Sequence, residues 1–256
     1  MAKAKGIHAH PIFKLGKHKT KKDKRNFRFA ALVRAKAPAL PSAYDFDVAH
    51  PEIPTPMFAN DVHGDCVMAG RAHQTLRFED LEQGKVITIT DKDVLNEYFK
   101  ETGGADSGLV VLDSLKLWRS KGWKVGKDTY KIQAFAEVNY KDHGQVRQSI
   151  FADVGIGLGV QLPKDAQKQF QTGQPWDVTT GAGSKPGSWG GHYVYVPGYT
   201  PQGPVCVTWG QKQQITWAWL DKYCDESYAI FDAHDGFKKN VIDKSKLTAL
   251  LAKLEE

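Results

Sequence analysis

The sequence predicts an α+β protein with its helices gathered in the first half and its strands in the second. Three observations carry this. Between Asp65 and Lys121, apolar residues recur at spacings of three and four, the period of a helix with one buried face. From Gly155 onward that rhythm gives way to alternation and to segments rich in Val, Tyr and Trp, the pattern of strands. Finally, 256 residues with 41% hydrophobic and 25% charged side chains are enough to bury the core of one large domain or of two closely packed lobes. Helices and strands segregated in this way suggest two lobes with a cleft between them.

Residues 1–36 form a basic arm, expected to be flexible, and residues 37–235 the main domain. Ala37–Pro56 holds Pro38, Pro41, Pro51, Pro54 and Pro56 and reads as an extended segment hugging the surface. Gly64-Asp65-Cys66 opens a helix in which Cys66, Ala69, Gly70, His73 and Leu76 keep helical spacing, fading by Gly84. Val86–Thr90 reads as a short strand. Thr90 and Asp93 form the pattern of a capping box for a helix reaching about Glu101 and stopped by Gly103-Gly104. Gly108–Lys121 is a further helix with Leu112, Leu115 and Trp118 on one face. Trp123–Tyr140 is strand-like, His143–Asp153 a short helix, and Gly155–Leu162 a buried strand with Ile156, Leu158, Val160 and Leu162 alternating. Gln171–Gly187 is loop. Gly191–Tyr199, Pro204–Trp209 and Ser227–Phe231 read as antiparallel strands. Residues 236–256 hold a C-terminal helix, read as exposed and amphipathic, with Leu247, Leu250, Leu251 and Leu254.

Charge is unevenly placed. The net charge is +6, yet residues 1–36 carry twelve Lys and Arg against Asp23 alone, and the remainder is net acidic at −5. Such an arm can bind nucleic acid or another anionic polymer through counterion release. It can equally pack back on the acidic body; Phe13, Phe27 and Phe29, interleaved with the charge, point to docking or folding of part of it. No stretch approaches the roughly 18 apolar residues of a membrane span, and the N-terminus lacks the apolar stretch of a secretory signal. A cytoplasmic or virion-associated protein is therefore expected. Three cysteines are too few and too odd in number for a disulfide framework, and Cys206 and Cys224 read as small buried hydrophobes.

Cys66 has different neighbours. A cysteine at the start of a helix sits where backbone N–H groups and the macrodipole favour negative charge, which lowers the thiol pKa toward a reactive thiolate. Gly64 lets the chain turn sharply just before it. The amide of Asn60, six residues upstream, can serve with the Cys66 N–H as donor to a developing oxyanion. The base must come from elsewhere. His192 follows Gly190-Gly191 and opens a strand, so its ring would project at a cleft edge; Cys66 and His192 are read as a thiolate–imidazolium pair. An acid beside the nucleophile would oppose activation, so Asp65 is expected to turn away and cap the helix. No Cys/His spacing matches a zinc motif, and neither metal nor cofactor is expected.

Asn60–Gly70 resembles the nucleophile segment of papain-like cysteine peptidases. Gly191-His-Tyr-Val-Tyr-Val-Pro-Gly-Tyr199 resembles the strand of that family that begins with the catalytic histidine, and Val205-Cys-Val-Thr-Trp-Gly210 resembles the strand that follows it. Leu40–Phe46, Val146–Leu162 and Asp225–Phe231 fit in the same order, so the resemblance spans roughly residues 40–232. It is closest to a branch from bacteria and their phages. It implies a helical N-terminal lobe, an antiparallel β-barrel-like C-terminal lobe and a peptide or amide substrate in the cleft between them. Carried over, Cys66 is the nucleophile, His192 the general base and acid, Asn60 the oxyanion donor in place of the family's glutamine, and Trp209 the shield of the pair.

The family's orienting asparagine falls on Val207, which cannot accept a hydrogen bond from imidazole, and strand alternation turns Thr208 to the opposite face. Three readings follow. The chain is a cysteine hydrolase acting through Cys66 and His192; or a weak or inactive papain-fold structural or binding protein, phage-associated, with a polyanion-binding arm; or the arm is a pro-segment removed on activation.

Overall fold

The computed structural model describes residues 13–152, 155–232 and 240–255. In chain order the elements are β1 (Phe27–Arg28), α1 (Phe29–Leu32), β2 (Tyr44–Asp45), α2 (Cys66–Gln83), α3 (Asp91–Thr102), α4 (Val111–Ser120), β3 (Trp123–Val125), β4 (Asp128–Tyr130), β5 (Ile132–Glu137), α5 (His143–Ala152), β6 (Ile156–Leu162), α6 (Lys164–Gln171), β7 (Gly190–Thr200), β8 (Gly203–Thr208), β9 (Gln211–Gln214), α7 (Trp217–Tyr223), β10 (Cys224–Asp232) and α8 (Lys244–Glu255). The order is α+β as expected, with α2–α4 before the long strands of the main sheet. That sheet runs β1-β5-β10-β6-β7-β8-β9, with β2 added against β7, and only the β1–β5 pair is parallel.

The period-two alternation of the strands divides two cores. Val194, Val196, Ala229 and Phe231 face one, shared with α1, α5 and α8; Tyr193, Tyr228 and Ile230 face the other, shared with α2, α3 and α4. Helix α2 lies against β7 and is buried around nearly its whole circumference, so its charges need partners inside the protein. Arg77 donates to both carboxylate oxygens of Asp47, at 2.9 and 2.8 Å, and lies over the Tyr195 ring. Burial alone would raise the Asp47 pKa, but Arg77 and Lys212 outweigh it and hold the carboxyl below its ordinary value. Arg71 donates to Glu101 and to the Ser114 carbonyl, both at 2.8 Å.

The close approach of α2 to the sheet depends on two glycines. A Cβ on Gly70 would stand 2.6 Å from the Tyr193 ring, and one on Gly157 would stand 1.7 Å from its hydroxyl. The ring fills the slot these residues leave bare.

Local chemistry places several elements as expected. Thr90 and Asp93 exchange both bonds of a capping box at the start of α3, and Gly103 ends that helix at φ 70°. Other expectations fail. Val86–Thr90 is not a strand; it is a connection leading into the α3 cap, with no pairing partner among the described residues. α6, α7 and β9 were not foreseen, because each is short and interrupted by polar residues. The C-terminal helix begins at Lys244 and is not simply exposed: Leu247 is buried and Leu250 and Leu251 pack on the first core.

The arm expected to be flexible is docked from residue 13 onward; residues 1–12 lie outside the described residues. Phe13, Phe29 and Leu32 are buried and β1 pairs with β5. Its charge finds the acidic body: Lys14 meets Asp106, Lys17 meets Asp225 and Glu226, Lys21 meets Asp113, and Arg28 meets Glu137, while Lys116 of the body answers Asp23. Among the described residues, no helix is long and apolar enough to cross a membrane.

Replacing Gly70 with Ala forces the Tyr193 ring out of its slot and should cost about 1–3 kcal/mol of stability. A urea midpoint equal to that of the parent protein would show that the slot is not needed.

Candidate active site

Residues 57–65 arrive at α2 through an irregular turn in which Phe58 and Ala59 both adopt the left-handed region, φ 57° and 59°. Such strain persists only where the surroundings enforce it. Asp106 anchors the far end of this turn. Its Oδ1 accepts the N–H of Gly64 at 2.9 Å and the Tyr98 hydroxyl at 2.7 Å; its Oδ2 meets His63 Nδ1 at 3.0 Å and Lys14 Nζ at 2.5 Å. Burial would raise the Asp106 carboxyl, but these four donors hold it far below the usual range. Nothing in the spacing of the sequence pairs Asp106 with the turn 42 residues before it, and it was missed.

Cys66 is the first residue of α2, as expected, and is wholly buried. His192 lies on β7, opposite Val160 of β6, and is wholly buried too. Its Nε2 is 2.8 Å from the Thr208 hydroxyl, and its Nδ1 is buried without a hydrogen-bond partner. Thr208 therefore stands where an orienting group is needed, contrary to the expectation that it faces away. A bulge shifts the β7–β8 register between Tyr195 and Gly198, and a bulge reverses which residues share a face.

Immediately after Thr208 the chain reverses through Trp209-Gly210, with Thr208 paired to Gln211. Both turn residues have positive φ, 44° and 75°, as a two-residue hairpin of this kind demands. Tryptophan is an unfavourable occupant of that conformation. Held there, its ring stacks on His192 with centroids 4.4 Å apart, and Phe13 of the arm also stacks on it at 4.7 Å. Phe170, Trp176 and Trp189 surround the same indole.

Asn60 and Asp65 are brought together. The Asn60 amide donates to Asp65 Oδ1 at 2.9 Å and, at a long 3.4 Å, to the His63 carbonyl. Asp65 does not cap the helix through its carboxylate as expected. Its backbone, at φ −99° and ψ 16°, is not in the extended conformation of a capping residue. Its side chain is fully buried, and Oδ2 has no hydrogen-bond partner. Burial raises its carboxyl to about 7, against the Asn60 hydrogen bond and with the help of the Asp106 and Asp91 charges.

Residues 13–18 of the arm run as a strap past Cys66 and the start of β7. The Lys17 N–H donates to the Gly191 carbonyl at 3.1 Å; the Leu109 N–H donates to Gly16 O at 2.8 Å, and the His18 N–H to Leu109 O at 2.9 Å. Glycines line the track. A Cβ on Gly16 would lie 1.6 Å from Gly64 O, one on Gly108 2.3 Å from Gly16 O, and one on Gly191 2.2 Å from Lys17 O. Gly64 thus does more than permit a turn, and Gly190-Gly191 more than lead into a strand.

The strap changes the electrostatics expected for the pair. Burial is the main cause raising the Cys66 thiol to about 11; the backbone N–H groups of Tyr193 and Gly16 offset part of this, the Asp65 charge adds to it, and the Lys17 charge opposes it. Burial also lowers His192 to about 3. Both shifts favour the neutral thiol and the neutral imidazole over the expected thiolate–imidazolium pair. All three cysteines are free and buried, Cys206 and Cys224 included.

No family model matches the sequence, and no curated protein matches it. Solved structures do. Xylellain, a cysteine protease from Xylella fastidiosa, is 14% identical and superposes with a TM-score of 0.67 over 90% of this chain and all of that one. Procathepsin B S9 from Trypanosoma congolense is 12% identical, with a TM-score of 0.60 over 86% of this chain and 87% of that one. The bromelain protease from Ananas comosus is 14% identical, with a TM-score of 0.54 over 75% of this chain and 100% of that one.

The raised Asp65 carboxyl sets a pH dependence. Folded, it keeps its proton up to about pH 7, whereas unfolded it releases it near its ordinary 3.8, so the folded state binds more protons between these values. The contribution of Asp65 to stability therefore falls as pH rises from about 4 to 7. Asp65→Asn should match the parent at pH 4 and exceed it at pH 7 by on the order of 1–3 kcal/mol. Parallel stability–pH curves from urea unfolding would contradict this. From its strand order, its two cores and these likenesses, the chain has the papain-like fold, with a helical lobe and a sheet lobe.

Proposed function

We propose that the protein is a latent papain-like cysteine hydrolase, acting on a peptide or amide through Cys66 and His192, and that residues 13–18 are its inhibitory strap. The observation that carries this is the state of His192: Thr208 engages Nε2, Trp209 covers the ring, and Nδ1 is buried with no hydrogen-bond partner, while the next residue along β7, Tyr193, gives its N–H to the Cys66 sulfur. Nδ1 is the nitrogen available to take the thiol proton.

In the reaction so read, His192 Nδ1 removes the Cys66 proton as the sulfur attacks the carbonyl carbon, and the carbonyl electron pair moves to oxygen. The Cys66 N–H and the Asn60 amide hydrogen that makes only the long His63 contact are the donors for that oxyanion. Collapse expels the amine, which takes the proton from His192; water then cleaves the thioester and restores the thiol. Thr208 fixes the ring orientation, the role an asparagine has in the family that the sequence resembles.

Latency follows from the strap. It offers the sulfur the N–H of Gly16, a hydrogen-bond donor and not an electrophile. It also keeps water out, which favours the neutral form of both partners. Removal of the strap would let water and substrate dipoles support the ion pair. The structural or polyanion-binding alternative, on a phage-type relative, gains least: Lys14, Lys17, Lys21 and Arg28 of the arm are already paired with carboxylates of the body.

Any side chain at position 16 collides with Gly64 O, so Gly16→Leu in the full chain unseats the strap without truncation. In that variant, iodoacetamide should alkylate Cys66 about tenfold faster or more than in the parent at pH 6, and a second substitution, His192→Ala, should remove the gain. Peptide mass mapping reads the site. Equal and slow labelling of Cys66, Cys206 and Cys224 in Gly16→Leu would sink the hydrolase reading.

A further inference from the structure

The Lys17 side chain is more deeply buried than any solvent-facing role needs. It leaves the strap one residue from the Gly16 contact with Cys66 and enters a hole in the sheet lobe with a side-chain exposure of 0%. At the bottom its ammonium lies 2.9 Å from Asp225 Oδ1, 3.0 Å from Asp225 Oδ2 and 3.0 Å from Glu226 Oε1, and it also donates to Thr20 Oγ1 and the His18 carbonyl. The hole exists because β6 has a glycine at its wall. A Cβ on Gly159 would stand 2.2 Å from Lys17 Cε and 2.5 Å from Glu226 Cγ. The two carboxylates are held by the sheet lobe itself: Gln161 donates to Asp225 Oδ2 at 2.7 Å, and Tyr228 to Glu226 Oε2 at 3.2 Å.

When the strap leaves, it takes the ammonium away. Gln161 and Tyr228 stay, but two neighbouring carboxylates then lack a cation in a recess shaped for an unbranched four-carbon stem. An uncompensated buried charge is costly, and a cation entering on a matching stem removes that cost.

We infer that the recess formed by Gly159, Gln161, Asp225 and Glu226 is the specificity pocket of the hydrolase, and that it selects a peptide carrying a lysine side chain one residue before the scissile carbonyl. The inference rests on the hydrolase reading given above, and the strap is its internal mimic. The strap runs parallel to the Leu109 segment, through bonds from Leu109 to Gly16 and from His18 to Leu109. A peptide running in the opposite sense exchanges N–H for C=O along its backbone. It therefore brings a carbonyl to Cys66 with the order Lys-Gly where the strap reads Gly16-Lys17. The glycine-lined track admits a small residue at the sulfur, and the acidic recess takes the lysine.

The test uses the full-length Gly16→Leu protein and two thiol-directed probes, an acyl-Lys-Gly chloromethyl ketone and its norleucine counterpart, which keeps the stem and lacks the ammonium. Cys66 should be labelled about tenfold faster or more by the lysine probe, and adding Glu226→Gln should bring the two rates within about twofold. Equal rates at Cys66 in the Glu226 parent would overturn the pocket and leave the hydrolase reading standing. If neither probe labels Cys66 faster than Cys206 and Cys224, the hydrolase reading falls, and the pocket is then judged by ligand binding alone. Full-length Lys17→Ala should gain about 2–4 °C in melting temperature from millimolar n-butylammonium and nothing from n-butanol. No gain, or the same gain from the alcohol, would overturn the pocket independently of any chemistry.

Discussion

The Tyr193 ring, wedged between Gly70 of α2 and Gly157 of β6, sets the distance between the helical lobe and the sheet. Everything at the site is measured from that contact. It brings the first turn of α2, and so Cys66, against the backbone of β7 one residue from His192. It also makes α2 a buried element, which is why Arg71, Arg77 and Asp47 form closed ion pairs inside the protein. A helix free to stand further from the sheet would need neither the glycines nor the buried charge.

The second layer of organisation is the conversion of backbone irregularity into side-chain placement. The bulge of β7 turns Thr208 toward His192. The strained Trp209-Gly210 reversal lays an indole over the same ring. The left-handed pair Phe58-Ala59, tied down through Asp106 and Gly64, delivers Asp65 and Cys66 to the helix start. Each device costs conformational energy on the order of 1–3 kcal/mol, and each is over-determined by several hydrogen bonds or by an aromatic cluster. Their concentration around one thiol and one imidazole distinguishes this region from the rest of the fold.

Much of this was legible in the sequence. The helix-starting position of Cys66, the Gly-Gly-His strand, the capping box at Thr90 and the alternation of Ile156 to Leu162 are local signals, and local signals survive folding. What failed was non-local. Asp106 acts on a turn 42 residues away, and no spacing rule reaches that far. Thr208 was misassigned because alternation is counted from an unbroken strand, and a bulge is invisible in composition. The aromatics of the arm pointed to docking, but its charge cannot distinguish a cation that faces water from one that enters a carboxylate-lined recess. Phe13 carried the docking signal and Gly16 the one that was overlooked: a bare backbone position beside an aromatic is what a docking segment needs. The thiolate–imidazolium expectation took no account of burial, which pushes the Cys66 thiol up and the His192 ring down.

The strap is joined to the body through residues 19–26, which lead directly into β1. A tether that short holds its own ligand at an effective concentration on the order of millimolar. A free peptide of ordinary abundance competes poorly against it, however well it fits. The situation changes discontinuously with a single break in the tether. The same contacts then belong to a dissociating peptide, diluted into the surrounding volume, and the balance tips without the loss of any individual interaction. On the latent-hydrolase reading, occupancy of the site follows chain connectivity, and a break that sets it is in practice one-way.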